Sequence, residues 1–128
     1  MFSISRKRAP ANHLALGRWG EEQAARFLHR RGWRIIERNF SCPAGEIDLI
    51  ADDHGTLVFV EVRTRRDLSF GSPEETVDGK KAKRLERAAE WYLDTWRRAK
   101  LSWRFDIVAI EVNRDGRLDE LTHFPAAF

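Results

Sequence analysis

The stretch over residues 45–63, GEIDLIADDHGTLVFVEVR, constrains this chain more than any other. Two strand-like runs, residues 46–51 and 57–63, flank a turn-like Asp52-Asp53-His54-Gly55. Side chains alternate faces along a strand. Glu61 and Arg63 therefore share a face with Leu57 and Phe59, and Asp48 shares one with Glu46 and Ile50. If the runs pair as a hairpin with these faces on one side, Asp48 and Glu61 converge. Two carboxylates in an apolar setting repel each other and are poorly solvated. One must take up a proton, or both must share a cation.

The rest of the composition narrows the setting. A chain of 128 residues predicts one domain with a core of its own. Lys and Arg number 23 against 20 Asp and Glu, so the distribution of charge matters more than the net +3. The lone Cys42 excludes an internal disulfide and a multi-cysteine zinc site. His13, His29, His54 and His123 show no metal-ligand spacing and read as surface or packed histidines. No apolar run has transmembrane length, and the basic start (Arg6, Lys7, Arg8) lacks the apolar core of a signal peptide. The expectation is a reducing, cytoplasmic setting with no membrane partner.

Residues 1–11 read as a flexible basic arm, and residues 12–128 as the single domain. Asn12 is an N-cap for a helix reaching Arg31, with Leu14, Gly17, Glu21, Ala24 and Leu28 on one stripe. Gly17 and Gly20 each cost about 1 kcal/mol inside a helix, which makes sense where the helix must approach another backbone closely. Glu21 is either part of a site or a rim carboxylate paired with Arg18 or Arg26. Gly32 stops the helix. Residues 33–39 read as a strand, 41–45 as a loop and 64–75 as a long loop.

A second helix is predicted over about residues 76–99, with Leu85, Ala88, Ala89, Tyr92, Leu93 and Trp96 as its apolar stripe. Lys80, Lys81, Lys83 and Arg84 crowd its first turns, where the helix dipole already favours anions. A bound phosphate accounts for that, and so does a solvated face balanced by Glu74, Glu75, Glu86 and Glu90. Residues 103–112 read as a buried-type strand in which Asp106 either supports a site residue from behind or bonds a nearby arginine or backbone amide. Residues 114–117 make a turn, and 118–124 a last short strand.

The element order is α-β-β-β-α-β with a short terminal β, which implies a mixed sheet flanked by helices. The second helix connects the third and fourth strands, so those two should be parallel. Asp48 followed by Glu61-Val62-Arg63 resembles the Asp…(Asp/Glu)-x-Lys signature of restriction-endonuclease-like nucleases, whose core has this α/β order. Further motifs run along most of the chain. They are Gly17-x-x-Gly20-Glu21-x-x-Ala24, Arg38-Asn39-Phe40, Gly45-Glu-Ile-Asp-Leu-Ile50, Phe59-Val-Glu-Val62, Lys81-x-x-Arg84-Leu85, Arg104-Phe-Asp106 and Ala127-Phe128. Together they resemble the YraN family of small bacterial endonuclease-like proteins, similar in layout to archaeal Holliday-junction resolvases.

The resemblance implies a metal-dependent endonuclease. Asp48, Glu61 and the Val62 backbone carbonyl would hold Mg²⁺ (or Mn²⁺), with Glu21 completing the site directly or through water. Glu21, Asp48, Glu61 and Arg63 would be the catalytic set. Arg63 stands where the signature has lysine. An arginine stays charged and cannot serve as a general base, but it can clamp a phosphate. Arg65, Arg66, Lys80, Lys81 and Arg84 are the nucleic-acid-binding candidates, with DNA as the partner. Likeness to junction-cutting enzymes implies a homodimer. Trp91, Trp96 and Trp103 are expected to pack in or near the core rather than stack on bases. Two other readings stay open: a catalytically silent nucleic-acid-binding module, or a protein-interaction domain whose carboxylates are structural and paired with Arg63, Arg38 or Arg104.

Overall fold

The computed structural model describes residues 8–66, 79–95 and 102–128. The chain runs α1 (His13–Arg30), β1 (Arg34–Cys42), β2 (Gly45–Asp53), β3 (Thr56–Arg65), α2 (Gly79–Thr95), β4 (Trp103–Val112) and β5 (Leu118–Phe124). The five strands form one sheet in sequence order. Only β3 and β4 are parallel, and the other neighbours are antiparallel. This is the expected restriction-endonuclease-like core.

The two helices lie against opposite faces of the sheet. From α1, Leu16, Ala24, Ala25 and Leu28 pack on Leu49, Val58, Val60 and Val108. From α2, Leu85, Ala88, Tyr92 and Leu93 pack on Ile50, Leu57, Phe59 and Phe105. Strand β3 is thus buried on both faces, which is why its sequence is continuously apolar from Leu57 to Val60. Among the described residues, no helix is long and apolar enough to cross a membrane.

The helix α1 is capped as expected, with the Asn12 side chain accepting from Ala15 N–H at 3.1 Å. Its buried face is rotated from the expected stripe. Leu14 is 75% exposed, while Leu16, Gly20 and Gln23 are buried. The two stripes share Ala24 and Leu28 and diverge only towards the N-terminus. The cause is Gly20, where a Cβ would sit 1.8 Å from Thr64 Oγ1 on β3. This close approach fixes which face meets the sheet. Gly17 meets nothing within 4 Å, so only Gly20 fulfils the close-approach expectation.

The hairpins are tighter than the sequence suggested. Strand β1 continues to Cys42, which pairs with Gly45, so most of the expected 41–45 loop is sheet. Asp52 and Asp53 belong to β2. The turn is His54-Gly55 alone, with φ of 50° and 103°, as a two-residue hairpin loop with both residues left-handed requires. Strand β3 runs two residues past Arg63, because its pairing with β4 persists to Arg65↔Glu111. Residues 1–7 of the expected arm, the expected ends of the second helix and residues 67–75 of the expected loop lie outside the described residues. The arm is docked at Ala9, which is buried and donates its N–H to Gly116 O at 2.6 Å.

One topological detail positions everything that follows. Pairing between β2 and β3 runs from Asp53↔Thr56 to Leu49↔Val60, whereas β3 stays paired with β4 as far as Arg65. Beyond Val60 the sheet opens as a fork between β2 and β3.

Candidate functional site

Asp48 and Glu61 stand on the two prongs of this fork. The Val62 N–H, which finds no β2 carbonyl there, donates to Asp48 Oδ2 at 2.8 Å. A strand residue's N–H and C=O point to the same side, so the Val62 carbonyl also faces the fork. Glu61 is 8% exposed. Burial, then the charge of Glu61, and lastly that of Glu21 push the Asp48 carboxyl up to about 7. The Val62 N–H and the Lys81 ammonium pull the other way without restoring it. The convergence expected from strand alternation is present, and so is its electrostatic consequence.

The cations are arranged differently from expectation. Lys81 Nζ, from α2, lies 2.5 Å from Glu61 Oε1. Arg63 Nη2 lies 3.7 Å from the same oxygen. The Arg63 side chain is 14% exposed, and its Nε and Nη2 are buried with no hydrogen-bond partner among the described residues. The other two arginines considered as structural partners are engaged elsewhere. Arg38 binds Glu22 at 2.6 Å, and Arg104 binds Asp106 and Asp53, each at 2.9 Å.

Glu21 is not paired by hydrogen bond to Arg18 or Arg26; Arg26 bonds Glu22 instead. Burial first, and then Glu46 and Glu61, raise the Glu21 carboxyl, with Arg18 opposing. Its two oxygens accept from the Asn39 amide nitrogen at 2.7 and 3.1 Å in the amide orientation that satisfies both groups. Asn39 lies on β1 between the Arg38↔Leu49 and Phe40↔Ile47 pairs and has φ of 51°. Among non-glycine residues asparagine is one of the few at ease there.

Two cavities meet at the fork. One, of about 390 Å³, is lined by Glu46, Asp48, Glu61, Lys81, Arg84 and Leu85. The other, of about 290 Å³, is lined by residues that include His13, Glu61, Arg63, Arg65 and Lys81. Of the expected nucleic-acid contacts, Lys81, Arg84 and Arg65 therefore line the cleft. Lys80 is exposed, and the Arg66 guanidinium contacts the Pro10 carbonyl. Trp91 and Trp103 lie against Phe40 and Phe105 but are each 40% exposed, and Trp96 lies outside the described residues.

Among the described residues, no three His, Cys, Asp or Glu side chains make a ready-formed metal group, so Glu21 does not join Asp48 and Glu61 directly. The donors at the fork are nonetheless of one kind, two carboxylates and a backbone carbonyl. Hard oxygens suit Mg²⁺, which keeps several of its waters and needs few protein ligands.

Residues 20–110 match the model of a family described as uncharacterised protein family UPF0102. The chain belongs to this family. It is 48% identical to a UPF0102 protein of Syntrophotalea carbinolica over 115 residues, covering 90% of this chain and 92% of the relative. A UPF0102 protein of Moorella thermoacetica is 46% identical over 112 residues, 88% of this chain and 93% of the relative. UPF0102 protein STH1475 of Symbiobacterium thermophilum is 50% identical over 103 residues, 80% and 87% of the two chains.

In this UPF0102 chain the matched span takes in Glu21, Asn39, Asp48, Glu61, Arg63 and Lys81. Sequence reading missed the part played by Asn39, and it weighed Lys81 as a phosphate contact or a surface charge without finding its pairing with Glu61. Each left a trace. Asn39 is a turn-prone residue inside a strand-like run. Lys81 lies four residues before Leu85, and so on the sheet-facing side of α2.

Proposed function

We propose that this chain is a Mg²⁺-dependent endonuclease (Mn²⁺ serving in place of Mg²⁺) that acts on structured DNA in the cytoplasm. The observation that carries the reading is the Asp48–Glu61 pair, two carboxylates of the sheet interior brought to an open cleft at a cost that raises Asp48 to about 7. A divalent cation would remove that cost. Asp48, Glu61 and the Val62 carbonyl would hold the metal, and Glu21, fixed by Asn39, would act on it through water. When bound, the metal polarises the phosphodiester and acidifies a water.

The chain's own residues do the rest. Arg63 and Arg65 hold the phosphate backbone from one side of the fork and Arg84 from the other. In hydrolysis a water oxygen bonds to phosphorus and the phosphorus–sugar oxygen bond breaks. The water's proton passes to solvent, and the departing oxygen takes one up. A homodimer would present two such sites to a branched substrate.

The test is cleavage of labelled single-stranded, duplex, flap and four-way-junction DNA, and of structured RNA, with Mg²⁺ or Mn²⁺. Wild type should cut at least one DNA, and the Asp48→Asn/Glu61→Gln protein none, with its fold intact. Calorimetry should show metal binding in wild type and none in the double variant; equal binding in both would sink the metal site. One observation favours a second reading. Arg63 fills the lysine position with a group that stays charged, which suits a silent nucleic-acid-binding module. Salt-sensitive binding without cleavage of any substrate would select that module. No binding at low salt to any DNA or RNA would remove both readings and leave the protein-interaction domain.

A further inference from the structure

We propose that Lys81, delivered by α2, takes the place of the lysine that the nuclease signature puts at position 63, and that it contacts the phosphodiester undergoing cleavage. This rests on the nuclease reading and deepens it. It divides one role between two residues, with Lys81 as the cation at the reacting phosphate and Arg63 as an anchor beside it.

Three observations carry the assignment. The first is distance: Lys81 Nζ is 2.5 Å from Glu61 Oε1, and Arg63 Nη2 is 3.7 Å away. The second is access. The Lys81 side chain is 36% exposed and that of Arg63 14%, with Arg63 Nε and Nη2 closed off from solvent. A ligand arriving in the cleft therefore meets the ammonium before it meets those guanidinium nitrogens. The third is position. Glu61 and Lys81 are the residues common to both cavities, so together they form the wall between them. The first cavity holds Asp48 and Glu46, and the second holds Arg63, Arg65 and His13. A phosphodiester strand laid across both lobes passes over Lys81. There the flexible lysine stem can turn the ammonium from Glu61 to a phosphoryl oxygen once a metal neutralises that carboxylate. The ammonium and the metal compete for Glu61, which links loading of the site to release of Lys81.

Wild type, Lys81→Met, Arg63→Lys and the double variant Lys81→Met/Arg63→Lys would be compared on the DNA substrate cut best by wild type. Single-turnover cleavage would be followed with Mn²⁺, and DNA affinity measured with Ca²⁺ in its place. Mn²⁺ affinity would be measured by calorimetry without DNA, and thermal melts would check folding. Lys81→Met should lower the single-turnover rate by about 100-fold, the scale seen when one transition-state donor is removed. Its DNA affinity should stay close to wild type, and its Mn²⁺ affinity should rise several-fold because a competing cation has gone. Arg63→Lys in the Lys81→Met background should restore a large part of the lost rate, since a second lysine then stands at the signature position.

A Lys81→Met rate equal to wild type overturns the proposal while leaving the nuclease reading standing. So does a rate loss matched by an equal loss of DNA affinity, or one that the second lysine fails to restore. Unchanged or weaker Mn²⁺ binding overturns the competition at Glu61. A wild type that cuts nothing brings down the nuclease reading itself, and this proposal with it.

Discussion

Asp48 and Asp106 are both aspartates of one sheet, two strands apart, and burial pushes the carboxyl of each upward. They end on opposite sides of the ordinary aspartate value. Asp106 is fully buried. It accepts from Arg104 Nε at 2.9 Å, His123 Nε2 at 2.7 Å and Ala126 N–H at 3.0 Å, and these partners hold it below the ordinary range. His123 receives a hydrogen bond on Nδ1 from Arg31 at 2.8 Å, which leaves Nε2 as its proton-bearing nitrogen. Asp48 keeps partial exposure at the cleft and has one backbone N–H and a second carboxylate for company. Burial alone does not make a site. What separates the structural acid from the candidate functional one is whether its charge has been answered.

The largest expected effect breaks the answered side. Asp106→Ala leaves Arg104 with the hydrogen bonds of one carboxylate fewer in a part-buried position and orphans the Ala126 N–H. Unfolding in urea should show a loss of about 3–5 kcal/mol, as for other buried pairs cut on one side. A loss below 1 kcal/mol would mean that the network is ornamental, by the scale of exposed pairs.

A smaller loss sharpens the contrast by acting on one end alone. Gly20→Ala drives a methyl into Thr64, next to Arg63, and should cost about 1–3 kcal/mol, the range for overpacking. Gly17→Ala, with open space around it, should gain up to about 1 kcal/mol from helix propensity. Chemical shifts should change around Thr64 and Glu61 in the Gly20 variant and stay put around Asp106. Equal costs for the two glycines would dissolve the close-approach argument.

The last effect has the opposite sign. Asp48 titrates at about 7 in the folded chain against 3.8 in the unfolded one. Between these values the native state holds a proton that the unfolded chain has lost. Stability at this site is therefore highest below 3.8, falls as pH rises through the window, and levels off above about 7. Asp48→Asn removes that slope. The metal-free variant should melt a few degrees above wild type at pH 8, and level with it at pH 3. Asp106 runs the other way, since its depressed value stabilises the fold above 3.8 and is lost in acid. A metal-free wild type equally stable at pH 5 and pH 8 would leave the Asp48 charge answered after all.

The sequence disclosed most of this architecture because the signals were local. Strand β4 and strand β5 were expected over the residues they occupy, since alternating apolar runs ended at turn residues. Asp106 was expected to bond an arginine or an amide, and it binds both. What stayed hidden depends on contacts distant in the chain. The buried face of α1 follows from Thr64, 44 residues beyond Gly20, and no periodicity within the helix can register that. Lys81 reaches Glu61 from across the cleft. Its four-residue spacing to Leu85 showed which side of α2 it lies on, but not which carboxylate waits there. The Asn39 amide was invisible because a strand asparagine has no use until Glu21 arrives from another element.

The Val62 amide turns the fork into its own instrument. Its proton rests on a single carboxylate oxygen, at the point where the ladder between β2 and β3 has ended. Protonating Asp48, or drawing that oxygen towards a cation, weakens one hydrogen bond at one backbone position. In a nitrogen–proton correlation spectrum, the Val62 cross-peak becomes a titration curve for the site. It reads occupancy without a substrate, a dye or a substituted side chain.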